Sequence, residues 1–274
     1  MKSKRRRGSA GGRFGYGTLM LLAITAVGPL FFGCAGGRVA SPGATYDSPG
    51  TALRELAASA VKGTITATAR IEIFSHGERY PLKAAMMMRI PADLRLESIP
   101  LFGTPDFFLS IEGDELRVFL PGKGSFYSGP ATRRNIARFL YLPLPAAEIV
   151  GILMGRLPAE WEGSNNVRGE QEEEYYRIDR YQAGKKIGSV WIDPVGDLLI
   201  RVRAFTEGEE IAYTADFSDH ARMGKGFLPH RLTISSDGVS LALRYTDMGL
   251  HQDDGASFAL PIPEGITPIP IEAK

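Results

Sequence analysis

Cys34 is the residue of this chain whose chemistry is easiest to predict, because it is the only cysteine in 274 residues. A single thiol excludes an internal disulfide and leaves the sulfur free for modification. Cys34 follows an apolar stretch from Leu19 to Phe32, which itself follows a strongly basic start. A basic region, a short apolar region and a small residue before the cleavage point are typical of a secretory signal. The apolar stretch is also shorter than the roughly 20 residues that a membrane-spanning helix needs.

The segment Leu30-Phe31-Phe32-Gly33-Cys34 resembles the lipobox of bacterial lipoproteins. The resemblance implies that residues 1–33 are a lipoprotein signal peptide that is removed, and that Cys34 carries acyl chains such as palmitate. Several acyl chains hold a protein firmly on a bilayer, whereas one chain alone is marginal. Phe31 stands where the lipobox prefers Leu, and the alternative is an unmodified thiol beside an ordinary cleavage site.

Removal of the signal changes the charge of the protein. Six basic residues and no acidic ones lie in residues 1–33, so the formal net charge falls from +1 to −5. The mature chain therefore has no electrostatic basis for binding nucleic acid. Residues 34–50 are rich in Gly, Ser and Pro, which predicts a lipidated cysteine followed by a flexible tether. Residues 51–274 are long enough for one domain with a sizeable core.

No group of residues in the mature chain predicts catalysis or metal binding. The histidines are scattered, and an acidic run is expected to be a solvated edge or loop, because a cation site needs converging oxygens. We therefore expect a protein that is not an enzyme and that needs no cofactor and no metal. The scattered histidines are His76, His220, His230 and His251, and the acidic run consists of Glu170, Glu172, Glu173 and Glu174.

The elements that follow are predicted from apolar spacing. Residues 51–62 have helical spacing and end at Gly63, and two more short helices are expected within 132–141 and 146–157. Residues 63–74 alternate strictly, with Ile65 to Ile73 on one face, which is typical of a half-buried strand. Similar strands recur up to residue 128 and again from 173 to 248, separated by short turns.

This spacing predicts a mainly β fold within the α+β class. Short, even spacing favours an antiparallel meander over parallel βαβ units, and we expect a single sheet of about eleven strands. A twisted sheet of that size curls, and the short helices are the available cover for its concave face. The Pro-rich end, 260–274, is expected to run extended along the surface.

Residues 95–103 (RLESIPLFG), 109–121 (LSIEGDELRVFLP), 126–129 (FYSG) and 142–158 carry a pattern of apolar and turn residues. The pattern resembles the outer-membrane lipoprotein LolB and the LolA/LolB superfamily of lipoprotein carriers, over roughly residues 51–250. The resemblance implies an unclosed half-barrel with helices as a lid. It also implies that acyl chains of lipoproteins bind inside, and that a periplasmic carrier protein is a partner.

The family resemblance also implies a role for the connection between the third and fourth strands. In LolB a hydrophobic loop at this position contributes to membrane insertion, and here the corresponding segment runs from Ile99 to Pro105. Leu101 and Phe102 are then the residues at the tip. The alternative is that both side chains pack into the core, which is the commoner location of Leu and Phe.

A groove for acyl chains needs only apolar walls, because each CH₂ removed from water contributes about 0.8 kcal/mol. The inward residues of the predicted strands and of the second inserted helix would form those walls. They are Ile65, Ile71, Ile73, Phe107, Leu109, Ile111, Leu116, Val118, Leu120, Ile149, Ile152 and Leu153. Whether this groove is open or filled by its own side chains is not decided by the sequence.

Two functions are therefore predicted as alternatives. The first is an outer-membrane lipoprotein, anchored at the periplasmic face, whose groove binds acyl chains of lipoproteins or other lipids for transfer or insertion. The second is a structural or interaction lipoprotein of the cell envelope, with a filled barrel that binds a protein partner. A contiguous apolar cavity between sheet and helices would separate the two.

Overall fold

The computed structural model of the protein describes residues 46–75, 77–161, 163–252 and 257–272. Cys34, the predicted signal peptide and most of the predicted tether lie outside the described residues. The helices are α1 (Pro49–Ser59), α2 (Arg133–Leu140) and α3 (Ala146–Leu153). The strands are β1 (Thr64–Ser75), β2 (Glu78–Arg89), β3 (Asp93–Ser98), β4 (Phe108–Glu112), β5 (Glu115–Leu120), β6 (Ser125–Pro130), β7 (Val167–Glu172), β8 (Tyr175–Gln182), β9 (Lys185–Asp193), β10 (Leu198–Phe205), β11 (Ile211–Met223), β12 (Gly226–Ser236), β13 (Val239–His251) and β14 (Ile269–Pro270).

The described strands form one sheet in the order β14-β6-β5-β4-β3-β2-β1-β13-β12-β11-β10-β9-β8-β7. The fold is thus mainly β, with one large, unclosed, curled sheet and a few helices, as predicted. The predicted number of strands, about eleven, is too low, because the described part has 14. Two of these strands have no alternating apolar pattern: β7 is a charged edge strand, and β14 has only two residues.

Alternation places one face of the sheet in the core. In β1 the side chains of Ile65, Ala69 and Ile71 are buried, whereas Arg70, between two of them, is exposed. The neighbours β2 and β13 continue the pattern through antiparallel pairing on either side of β1. We call the buried face, on which α2 and α3 pack, the inner face.

The turns between strands lie at two opposite ends of the sheet, which we call the loop end and the α1 end. At the loop end, β1 turns into β2, β3 into β4 and β10 into β11. At the α1 end, β2 turns into β3 and β9 into β10. Ala60, just after α1, forms a bridge to Phe227 at the start of β12, which places α1 at this second end.

The first helix begins earlier than residue 51. Ser48 caps α1, because its side-chain oxygen accepts the N–H of Thr51 at 3.2 Å, and Pro49 occupies the first turn. Tyr46 donates its hydroxyl to Asp197 Oδ1 at 2.7 Å, in the turn between β9 and β10. Tyr46 and Pro49, which were predicted to be part of the tether, therefore belong to the described fold.

The C-terminal segment, residues 257–272, crosses the outer face of the sheet. Ser110 of β4 donates its hydroxyl to the carbonyl oxygen of Phe258 at 2.6 Å, and the Phe258 side chain is fully buried. β14 then pairs with β6 in a parallel sense, so the sheet is not antiparallel throughout. The segment is extended, as predicted, but it also buries Ile271 in the core.

Within the described residues, no helix combines the length and apolar character needed to cross a bilayer.

Candidate functional site

The twelve residues predicted to line a groove belong to one apolar core or pack against it. Ile73, Phe107 and Leu120 are partly buried. The other nine are buried: Ile65, Ile71, Leu109, Ile111, Leu116, Val118, Ile149, Ile152 and Leu153. These side chains therefore form the interior of the domain in this structure rather than the walls of an open groove.

The interior is filled by α2, α3 and the linker between them, residues 133–153, which we call the lid. Ile149 and Leu153 of α3 and Leu142 of the linker face Met86 and Leu241 of the sheet. A cavity of about 30 Å³ remains between them, which is close to the volume of one water molecule in the liquid. A cavity that binds benzene has roughly 150 Å³. No acyl chain fits in this internal cavity in this conformation.

The lid is tied to the sheet by a small number of polar contacts. Tyr213 of β11 donates its hydroxyl to the carboxylate of Glu148, in the first turn of α3. Tyr245 of β13 donates to the carbonyl oxygen of Leu153 at 2.8 Å, at the other end of α3. Burial raises the pKa of Glu148, and the hydrogen bond from Tyr213 offsets part of that rise. Polar contacts therefore fix both ends of α3.

α2 is tied to the C-terminal segment rather than to the sheet alone. Asn135 is buried, and its side-chain amide donates to the carbonyl oxygens of Pro130 at 2.9 Å and Glu272 at 3.1 Å. The hydroxyl of Thr132 caps the helix by accepting the N–H of Asn135.

A cleft of about 830 Å³ opens at the edge of the lid, towards the loop end. One wall comes from the lid, with Leu144 and Glu148, and the other from β9, β10 and β11, with Ile187, Phe205 and Tyr213. The lining is mixed and more polar than apolar, because Arg133, Arg180 and Glu160 contribute to it beside the apolar side chains. A mixed lining suits the polar part of an amphiphilic ligand, and the cleft borders the Glu148–Tyr213 contact that holds the lid.

The connection from β3 to β4, residues 99–107, is closed at its base by Ser98. The buried Ser98 hydroxyl donates to Asp106 Oδ1 at 2.6 Å and accepts the N–H groups of Asp106 and Phe107, each at 3.1 Å. The N–H of Ile99 donates to the carbonyl oxygen of Lys83 at 2.7 Å, so the loop starts alongside β2. We call residues 99–107 the β3–β4 loop.

The tip of the β3–β4 loop carries two of the most exposed apolar side chains of the described part. Leu101 is 94 % exposed and Phe102 is 93 % exposed. The sequence left open whether these two side chains are exposed at the tip or packed into the core, and in the structure they are exposed. Gly103 follows them with φ of +87°, a left-handed conformation that glycine adopts readily and that turns the chain back.

Exposed apolar side chains are concentrated at the loop end. Val195 is at the α1 end, and Ile262 and Ile269 are on the C-terminal segment. The remaining large exposed apolar side chains of the described part lie at the loop end: Phe74, Tyr80, Leu101, Phe102, Tyr141 and Ile211.

Several of the residues expected to be chemically inert have structural partners, and His76 lies outside the described residues. Glu170 and Glu172 of the acidic run pair with Arg177 across β7 and β8. His220 places Nε2 3.0 Å from the carbonyl oxygen of Leu199, and burial lowers its pKa. Within the described ranges, no three His, Asp, Glu or Cys side chains are grouped as a metal site would require.

Sequence patterns missed the residues that hold the lid. Glu148 and Tyr213 are 65 positions apart and meet only because α3 packs on β11. The one available signal was a carboxylate within an otherwise apolar helix, AAEIVGIL. Tyr80 and Tyr141 were likewise not singled out, because nothing in their local sequence marks exposure at one end of a sheet.

Comparison with known proteins identifies the fold. No protein-family model matches the chain, and no curated protein matches it. A LolA superfamily protein from Nitrosomonas europaea has a similar structure, with a TM-score of 0.51 and 10% identity, over 76% of this chain and 95% of that one.

Two further solved structures match to the same degree. A domain assigned to outer membrane lipoprotein sorting, from Vibrio parahaemolyticus, gives a TM-score of 0.50 at 14% identity and covers 74% of this chain and 91% of its own. A DUF1329 family protein from Desulfovibrio piger gives 0.51 at 12% identity, over 75% and 92%. The chain therefore has a LolA/LolB-like fold, and at these identities the similarity establishes the fold alone.

Proposed function

We propose that the protein is a lipid-binding protein that works on a membrane surface, which it contacts through the β3–β4 loop. Acyl chains then bind on the inner face of the sheet after the lid moves away. The proposed location is the periplasmic face of the outer membrane, with Cys34 as the lipid anchor. The observation that carries the proposal is the exposure of Leu101 and Phe102, 94 % and 93 %, on a loop with a fixed base.

The energy of loop insertion is large enough to matter. Full transfer of a Leu or Phe side chain out of water contributes about 1.5–3 kcal/mol each. Two such side chains at one tip give a reversible membrane contact that adds to an anchor without replacing it. Solvent exposure of both in the isolated domain has no folding benefit, which supports a partner that covers them.

Movement of the lid is a necessary part of the proposal, because the closed interior holds only about 30 Å³. The lid rests on the sheet through apolar side chains, so an acyl chain that replaces it exchanges one apolar contact for another. The polar contacts that must break are few, and each contributes about 1 kcal/mol net. Burial of ten methylene groups contributes about 8 kcal/mol, which also has to offset the apolar lid surface that is exposed when the lid moves. The 830 Å³ cleft at the lid edge is the proposed entrance.

Lipoprotein acyl chains are the proposed cargo. One structure with the same fold is assigned to outer membrane lipoprotein sorting, which supports this class of ligand. The groove requires no directional chemistry, so the proposal includes no reaction and no cofactor.

A second candidate function is favoured by the filled interior. In that case the protein is an interaction module of the cell envelope, the lid never opens, and Leu101 and Phe102 bind a protein. The two candidates make different predictions for lipid uptake.

The test measures vesicle binding and acyl-chain binding separately. The unit Ala40–Lys274 is compact by itself and contains every described contact, so it can be used without the signal and the anchor. We expect this unit to float with phosphatidylcholine vesicles and to bind a fluorescent fatty acid. Replacing Leu101 and Phe102 with Ser should abolish flotation and leave fatty-acid binding intact. Val195→Ser, an equally simple change of an 81 % exposed side chain at the α1 end, is the control.

A lid variant tests the second half of the proposal. Tyr245→Phe removes the hydrogen bond to Leu153 without changing the size of the side chain, so we expect faster fatty-acid binding. Flotation that depends on the loop, with no fatty-acid binding by either protein, would instead support the filled-barrel candidate. Absence of flotation would contradict the membrane contact.

A further inference from the structure

Tyr80 and Tyr141 form an exposed aromatic pair at the loop end of the sheet. Tyr80 is the third residue of β2 and is 45 % exposed; Tyr141 follows α2 in the lid linker and is 48 % exposed. The Tyr80 hydroxyl donates to Glu78, which raises the pKa of Tyr80, and Tyr141 lies close enough to add to that rise. The pair therefore lies where the lid linker approaches the β1–β2 hairpin, on the inner side.

This pair is continuous with the β3–β4 loop. β2 extends beyond the end of β3, and the first loop residue, Ile99, is hydrogen-bonded to Lys83 of β2. Tyr80 lies three residues before Lys83 on the same strand. Leu101, Phe102, Tyr80 and Tyr141 are thus side chains of neighbouring segments at one end of the molecule, and we call them the loop-end patch.

The composition of the loop-end patch fits a bilayer surface. Leu and Phe suit the acyl region, and tyrosine, with an apolar ring and a polar tip, is enriched at the level of lipid headgroups. Charges of both signs surround the patch, and Arg79 is paired with Glu72. Lys83, Lys123 and the exposed Arg138 of α2 outnumber Glu78 and Asp106 by one. An excess this small favours a zwitterionic lipid surface over a strongly anionic one.

The other side of the loop end differs in charge. The turns from β10 to β11 and from β12 to β13 carry Glu207, Glu209, Glu210 and Asp237. Lys185 donates to the carbonyl oxygen of Glu207, but carboxylates are in excess here, and burying them against any lipid costs the free energy of their hydration. The half of the loop end formed by β1 to β4 and the lid linker is therefore the half that faces lipid.

We propose that Tyr80 and Tyr141 are interfacial anchors that lie against a zwitterionic bilayer together with Leu101 and Phe102. This inference rests on the proposed membrane contact and adds its orientation. It also makes the lid part of the membrane-binding surface. Leu140 and Leu142, on either side of Tyr141, line the internal cavity, so a displacement of Tyr141 by lipid acts directly on the lid.

The experiment locates single residues relative to the bilayer in the full chain. Single reporter cysteines replace Tyr80, Tyr141, Phe102 or Val195, each is labelled with an environment-sensitive fluorophore, and the chain is reconstituted in phosphatidylcholine vesicles. The unsubstituted chain, labelled in parallel, gives the background from Cys34. We expect a blue shift and quenching by brominated lipid at positions 102, 80 and 141, little change in 0.5 M salt (roughly a Debye length of 4 Å), and neither signal at 195.

The possible results separate the two proposals. A reporter at 102 in lipid with reporters at 80 and 141 in water overturns the inference and leaves the membrane contact standing. A reporter at 102 in water overturns the membrane contact itself. Quenching at 195 equal to that at 141 means that the chain lies on the bilayer without the proposed orientation, and it also overturns the inference.

Discussion

Ser98 shows how one side chain can fix an exposed loop. Its hydroxyl makes three hydrogen bonds at the base of the β3–β4 loop, two from backbone N–H groups and one to Asp106. The apolar tip is therefore held away from the core by polar contacts at its base. A loop without such a base could fold back and bury Leu101 and Phe102.

Ser98→Ala should destabilise the protein by about 1–3 kcal/mol, because the three hydrogen bonds of the buried hydroxyl are lost together. The midpoint of urea unfolding measures this change. Ser125→Ala is the matched control, because its exposed hydroxyl makes one bond, to the carbonyl oxygen of Lys123. An equal effect of both substitutions would contradict the structural role of Ser98.

Glu148 gives the lid a dependence on pH. Burial raises the pKa of Glu148 above its ordinary value of 4.5, so the folded protein binds this proton more tightly than the unfolded chain does. Stability therefore falls as pH rises from 4.5 to the raised pKa, and it does not change further above that value.

Glu148→Gln should remove this contribution, because the amide oxygen still accepts the Tyr213 hydroxyl and does not titrate. Thermal unfolding of both proteins from about pH 4 to about pH 8 measures it, since the two states begin to bind different numbers of protons near pH 4.5. We expect the native chain to lose more stability across the range than the variant. Parallel curves would show that Glu148 is not the responsible group.

At the scale of elements, β14 and the residue after it close one edge of the sheet. Ile269 and Pro270 pair with β6, and Ile271 then turns its side chain into the core. Asn135 of the lid reaches the carbonyl oxygen of Glu272. A two-residue strand thus connects the sheet edge, the core and α2.

Ile271→Ala should cost about 2–5 kcal/mol, as expected for a buried aliphatic side chain. Ile269→Ala, two residues earlier in β14 and at a side chain that is 43 % exposed, should change stability by no more than about 0.5 kcal/mol. Urea unfolding of the two variants gives the comparison. Similar costs would mean that the C-terminal segment does not pack as described.

Elements with strong periodicity could be predicted from the sequence. The alternation in β1 and the helical spacing around Leu53 and Ile149 each gave the right element, because one face of each is buried in the core. β7 could not be predicted, since it is charged along its length and is held by pairing with β8. β14 could not be predicted either, because two residues have no period.

The candidate site was predictable only in part. Its inner residues could be named from alternation, but whether they enclose a ligand or the lid depends on packing distances that no pattern contains. The contact of Glu148 with Tyr213 depends on how α3 crosses β11. The location of Leu101 and Phe102 depends on the bonds of Ser98, which lies outside the apolar pattern.

At the scale of the whole molecule, the described N-terminal residues and the β3–β4 loop lie at opposite ends of the strands. Tyr46 is bonded in the turn from β9 to β10, at the α1 end, whereas Leu101 and Phe102 are at the loop end. Strands of six to 13 residues separate the two ends. At about 3.3 Å per residue, the distance between the two ends is roughly 20 to 40 Å.

The length of chain between Cys34 and Tyr46 should therefore limit contact with the anchoring membrane. Fully extended, it spans at most about 40 Å, just enough to reach. Deletion of residues 36–41 should halve this reach and leave a fluorophore at position 102 in water in dilute vesicles that carry the anchored chain. Replacement of the same residues with an equal number of Gly and Ser should restore the lipid signal. A lipid signal after the deletion would contradict the opposite-end arrangement.

The same geometry sets which membrane a lipid-anchored molecule can touch with least strain. If Cys34 carries the proposed lipid anchor, a segment from Cys34 to Tyr46 that is shorter than its full extension cannot bring Leu101 and Phe102 down to the membrane that holds Cys34. Such a molecule would bridge two facing membranes, with the fatty acids of Cys34 in one and the side chains of Leu101 and Phe102 in the other. Contact with the anchoring membrane would require the segment between Cys34 and Tyr46 to be almost fully extended, which costs conformational entropy.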